Sequence, residues 1–177
     1  SLLGLAIPLS VRTNVVLRRG MPALTLLFVL GALIVAIAHI RFELTYHLSK
    51  GLYDRGDRQQ ALTRVEEAVS YGPFDHRALF LRGRILQAEG RPDDARRAYL
   101  AALAYHPNYA NTHHNLGGVY ASLGQPDRAI GHFREALEIR PTYDQVRINL
   151  ANTLVQSDNL SAAKREMQLV LQRPSSL

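Results

Sequence analysis

Seven histidines and two adjacent acidic pairs are the residues of this chain best able to do chemistry. His113 and His114 are neighbours, so on a helix their rings point about 100° apart and cannot chelate one ion together. His106 precedes Pro107 in what reads as a turn. His39 closes a long apolar run, a place where a membrane histidine can ligate a pigment metal. Such helices often carry Ala one turn earlier, where Val35 stands here. An interfacial histidine bonded to lipid or to a neighbouring helix is the expected reading. Glu66-Glu67 and Asp93-Asp94 suit a solvated helix face. No Ser-His-acid set has supporting context, and no Gly-rich phosphate loop is present. With no Cys, disulfides and thiolate metal sites are excluded. The formal charge is +6, yet Arg is interleaved with Asp and Glu and forms no long basic run, so a nucleic-acid partner is not expected. No catalytic residue, metal or cofactor is expected within these residues.

The elements that position these side chains are legible in the stretch NLGGVYASLGQPDRAI, residues 115–130. Three glycines inside an amphipathic helix would each cost roughly 1 kcal/mol against Ala, so something else must require small residues. An internal repeat supplies the reason. Gly56, Gly90, Gly124 and Asp158 are spaced 34 apart. Ser49, Gly83, Gly117 and Ala151 share that period, as do Ala61, Ala95, Ala129 and Ala163. Ala68, Ala102, Ala136 and Val170 follow it, and so do Pro73, Pro107 and Pro141. Gly117 and Ala129 are expected where two helices cross, with Leu116, Tyr120, Phe133 and Leu137 around them. Gly124 ends the first helix with a positive φ. Pro126 opens the second at a position whose N–H needs no partner, and Asp127 favours the positive helix end.

A helix–turn–helix unit of this kind, stacked in copies around a continuous core, resembles the tetratricopeptide repeat (TPR) family. The resemblance implies an all-α chain with four units, at 42–75, 76–109, 110–143 and 144–177. The third matches best. The second has Arg82 where Leu116 sits, with Leu81 taking some of its packing role. The fourth lacks the glycines and has Pro174 one place early. In such arrays the first helix of each unit lines the concave face. That implies a partner-binding groove containing Arg77, Phe80, Arg84, Asn111, His114, Asn115, Ser122, Asn149, Asn152 and Gln156, with Tyr46, Lys50 and Tyr53 from the first unit. Asn115 and Asn149 share phase. An amide offers a donor and an acceptor, which suits a peptide main chain, while Arg77 and Arg84 could hold a carboxylate.

Residues 22–40, PALTLLFVLGALIVAIAHI, contain no Asp, Glu, Lys or Arg. Nineteen such residues make a helix of about 28 Å, near the thickness of a bilayer core. The expected organisation is an apolar and basic segment at 1–20, a transmembrane helix at 21–41 and the repeats at 42–177. Gly31, Ala32, Ala36 and Ala38 would let another membrane helix approach. No turn signal lies between the span and the first repeat, so one helix is expected from about Pro22 to Arg55. Arg18 and Arg19 before the span, against Arg41 and Lys50 after it, favour repeats in a bacterial periplasm and an inner-membrane anchor.

Two functional readings follow. In the first, the chain is a non-enzymatic, membrane-anchored scaffold whose partners are proteins, integral membrane subunits among them, and whose span contacts lipid. It would assemble or stabilise a bacterial membrane complex. In the second, it is the C-terminal tail of a polytopic glycan enzyme resembling O-antigen ligases or polymerases. The apolar SLLGLAIPL at the start would then end a preceding span, and Arg12, Arg18 and Arg19 would form a short loop.

Overall fold

The computed structural model describes residues 9–172, with side chains from residue 23. The start of the SLLGLAIPL segment, the side chains of Arg12, Arg18 and Arg19, and Pro174 lie outside the described residues. The described residues contain helices and turns and no strand. Two compact units are distinguished, Ser1–Arg41 and Phe42–Leu177.

Helix α1 is Leu9–Asp54. It begins well before Pro22, where the sequence suggested its start. Residues 9–21 hold only one helix-weakening residue, Gly20, and a single Gly or Pro does not by itself end a helix whose surroundings tolerate it. From Ala23 onward α1 contains an 18-residue window of mean hydropathy 2.6, long and apolar enough to cross a membrane by length and composition. Leu24, Leu26, Leu27, Phe28, Val29 and Ile34 are all more than half exposed. That is an apolar surface on every side of the helix.

The second unit repeats one motif. After the Phe42–Asp54 stretch come α2 (Arg58–Tyr71), α3 (His76–Ala88), α4 (Pro92–Tyr105), α5 (Ala110–Ser122), α6 (Pro126–Ile139), α7 (Asp144–Gln156) and α8 (Leu160–Leu171). The second helix of each pair starts at Arg58, Pro92, Pro126 or Leu160, the residues the period marks. Two devices serve these starts, one in the flanking pairs and the other in the central pairs. Asp57 and Asn159 cap α2 and α8 by accepting from the N–H of Gln60 and Ala162. Pro92 and Pro126 instead occupy the first turn of α4 and α6. The turn before each start needs a left-handed residue. Gly56, Gly90 and Gly124 have φ of 87°, 73° and 68°, and Asp158 adopts 57° in the same register.

Within each pair the crossing is set by a small residue on the first helix. A Cβ on Gly117 would lie 2.7 Å from two ring carbons of Phe133, and one on Gly83 would overlap the ring of Tyr99. Both rings are fully buried. Ser49 takes the equivalent place in the first pair and donates to the carbonyl of Ala61 at 2.8 Å. Leu81 is buried where Arg82 turns outward to Glu66, at 2.8 Å. Adjacent pairs stack through α2–α3, α4–α5 and α6–α7. First helices also touch, α3 with α5 and α5 with α7, whereas the second helices α2, α4, α6 and α8 do not touch one another. The first helices therefore form the inner, concave side of this unit.

Candidate partner-binding face

One recess of about 320 Å³ lies on the first-helix side. Tyr53 from α1, Arg84, Gln87 and Ala88 from α3, and Asn115 from α5 line it. Each residue comes from a first helix, so the period that stacks the helices also assembles the recess. The Arg84 guanidinium carbon lies 4.7 Å from the Tyr53 ring centroid. A cation over a ring face at this distance is held by the ring quadrupole while its N–H edges stay open. Beneath them, the hydroxyl of buried Tyr99 donates to Oε1 of Gln87 at 2.9 Å. Burial pushes the Tyr99 phenol well above its ordinary value, opposed by a hydrogen bond with Asn115. Tyr99 is thus a neutral, fixed post that orients both amides. Gly118 on α5 lies near the Gln87 amide: a Cβ there would meet only its Nε2, at 3.9 Å. The result is a shallow site with a cation, an aromatic face and two amides, able to donate to and accept from a main chain or hold an anionic group.

The structure brings Tyr53, Arg84 and Asn115 of the expected groove residues to this recess and occupies several others elsewhere. Arg77 does not pair with Arg84. Its guanidinium is held by Asp75 at 2.9 Å and Glu43 at 2.8 Å, with the rings of Phe42 and Tyr46 each 5.3 Å away. Burial alone would raise the Asp75 carboxyl, but hydrogen bonds from the Arg77 side chain and backbone hold it below its usual value. A cation with two carboxylates already on it is not available to a third, so Arg77 ties α1 to α3. Phe80 packs between Tyr99 and Tyr109 at 5.9 and 5.3 Å. Asn111 reaches the Tyr109 hydroxyl at 3.4 Å.

His114 and Asn149 engage each other. Nδ2 of Asn149 donates to Nε2 of His114 at 2.8 Å, and Nδ1 of His114 lies 3.2 Å from the Tyr143 hydroxyl. Gln145 donates to Oδ1 of Asn149 at 3.2 Å. Burial lowers the pKa of His114, consistent with this neutral network. Asn115 and Asn149 are therefore not equivalent despite shared phase: one lines the recess and the other joins α5 to α7. Ser122 turns back to the carbonyl of Val119 at 2.8 Å. Asn152 and Gln156 are exposed on α7. Gln87 was missed by the sequence reading, although it stands 34 residues after Tyr53 and so shares its face.

In the first unit, Gly31, Ala32 and Ala36 share one helix face with Phe28, Val35 and His39. Ala38 is not on it, because two residues turn a helix by about 200°.

Models of the tetratricopeptide repeat match residues 46–93, 74–142 and 120–175, together spanning the second unit from α1 to α8. The chain belongs to the tetratricopeptide repeat family. Human tetratricopeptide repeat protein 7B is 28% identical over 121 residues, 68% of this chain but only 14% of that protein. Among solved structures, MamA superposes with a TM-score of 0.72 at 21% identity, covering 74% of this chain and 77% of MamA. YrrB, described as a TPR protein with an unusual peptide-binding site, gives 0.64 at 18% identity over 70% of this chain and 64% of YrrB. At such identities the structural likeness establishes the fold. TPR units are protein-interaction scaffolds, and stacked repeats present extended concave surfaces for that purpose.

Proposed function

We propose that this chain is a membrane-anchored TPR scaffold that holds an extended segment of a partner protein along its first-helix face. The observation that carries this reading is the recess of Tyr53, Arg84, Gln87 and Asn115. Its amides are oriented by a buried hydroxyl and its cation by an aromatic face, and all are left open on the outer side. A partner's main chain would meet the amides, with Arg84 taking an acidic group. No chemistry is needed from the scaffold, and it acts without a cofactor. The apolar stretch of α1 serves as the anchor, and its Gly31, Ala32 and Ala36 face suits close approach of an integral partner's helix. Repeats on the periplasmic side of a bacterial inner membrane, serving assembly of a membrane complex, complete the proposal.

The test is the double substitution Arg84→Ala with Asn115→Ala in the full chain, read by how much partner remains bound to the purified membrane complex. Loss of at least about tenfold of the partner with an unchanged melting temperature supports the groove, since each contact of this kind is worth about 1–3 kcal/mol. Full retention of the partner refutes it.

A further inference from the structure

The third and fourth repeats carry the same three-point tie built from different chemistry. In the fourth, Arg147 donates to Glu166 on α8 at 2.7 Å and to the carbonyl of Pro141 at 2.9 Å. In the third, residues 34 positions earlier do the same. Nε2 of His113 lies 2.8 Å from the carbonyl of Pro107, and its Nδ1 lies 3.2 Å from Nδ1 of His132 on α6. In the second repeat the two helix positions are the buried, apolar Leu79 and Ala98. The site is thus a joint between the first helix and the second, with the preceding turn added in the last two repeats. Only in the third repeat can it titrate near neutral pH.

We propose that the His113–His132 pair is a proton-sensitive tie that holds α5 to α6 near neutral pH and loosens on acidification, whereas the Arg147–Glu166 tie stays shut. The tautomers follow from the partners. A carbonyl only accepts, so Nε2 of neutral His113 carries its proton and its Nδ1 holds a lone pair. His132 must therefore donate from Nδ1, leaving its own Nε2 as acceptor. One added proton at that Nε2 keeps both bonds but charges a half-buried ring. A second would enter at Nδ1 of His113, directly opposite the Nδ1–H of His132, and abolish the bond between them.

The surroundings act on that charge in both directions, and burial outweighs the groups that favour it. Tyr120 of α5 stacks on His132 with centroids 5.3 Å apart and planes 1° apart. Arg128 of α6 lies over the Tyr120 ring at 5.6 Å. Glu135, also on α6, favours the charged form, while Arg147 and Glu166 on the far side are committed to each other. The net result is that burial, then His113, lowers the His132 pKa from its ordinary 6.5. A histidine depressed in the folded state is neutral there while the unfolded chain takes up protons. Its stabilisation is full above about pH 6.5 and is lost as pH falls through the folded-state value.

Hydrogen exchange on the full chain in detergent, at about pH 7.5 and 5.5 with intrinsic rates corrected, tests the tie. The comparison variant is His113→Arg with His132→Glu, which copies the fourth repeat's pair. In the wild type, α5 and α6 amides should lose at least about tenfold more protection on acidification than α7 and α8 amides. In the double variant the two pairs should respond alike. The proposal is overturned if wild-type α5–α6 and α7–α8 respond equally. It is also overturned if the double variant keeps the full wild-type loss, because His76 or His114 would then be responsible. Should the variant fail to fold, imidazole 15N shifts of the wild type decide. Above pH 7, Nε2–H on His113 and Nδ1–H on His132 are expected, and the reverse tautomers contradict the tie.

Discussion

The two central helix pairs and the two flanking ones solve the same crossing differently. In the centre, Gly83 and Gly117 admit the fully buried rings of Tyr99 and Phe133. At the equivalent positions of the flanking pairs stand Ser49 with Val65 and Ala151 with Met167. Val65 is buried but small, and Met167 is 38% exposed. A larger side chain on the first helix thus accompanies a smaller or looser one on the second. The lesson is that volume at the crossing is shared between the two helices. The period fixes where the crossing falls, and the identity of the pair fixes how rigid it is.

Breaking the central crossing should give the largest effect. Gly117→Leu forces a branched side chain into the Phe133 ring, and overpacking of this kind costs about 1–3 kcal/mol or more. Ala151→Leu should cost distinctly less, because Met167 is flexible and can move outward. Thermal or denaturant unfolding of the full chain in detergent compares the two. Equal midpoints would show that Gly117 and Ala151 sit in equally open crossings.

A smaller difference is expected at the turns. Gly124→Ala places a Cβ in a left-handed conformation and should destabilise by about 1 kcal/mol. Asp158→Gly relieves the same conformation at φ 57° and should stabilise by a few tenths up to about 1 kcal/mol. The same unfolding measurement checks the opposite signs. A loss of stability in Asp158→Gly would mean that the aspartate side chain contributes more than its backbone conformation costs.

The fold was legible because repetition converts weak local signals into one strong signal. A single Gly in a helix is ambiguous, whereas Gly56, Gly90 and Gly124 in register with Asp158 mark one turn four times. The starts of α2, α4, α6 and α8 follow from it. The site was legible only in part. Phase assigns a side chain to a face, as for Arg84 and Asn115, but does not say what else reaches that side chain. Arg77 faces inward as expected, yet Asp75 at the cap of its own helix and Glu43 from α1 neutralise it. The adjacent histidines point to separate partners, His132 for one and Asn149 for the other, and those partners depend on inter-helix rotation. Nothing in a period of 34 encodes that rotation.

The central claim is that the first-helix face receives the partner, and site-specific photo-cross-linking tests it most directly. Photoreactive residues would replace Arg84 and Asn115 on the first-helix face, and Arg97 and Arg134 on the exposed sides of α4 and α6. The measurement is the yield of cross-linked partner from each position in intact membranes. Strong adducts are expected from positions 84 and 115, mapping to one short segment of a single partner protein, with little from 97 and 134. Adducts confined to 97 and 134 would contradict it and move the interaction to the outer, second-helix side.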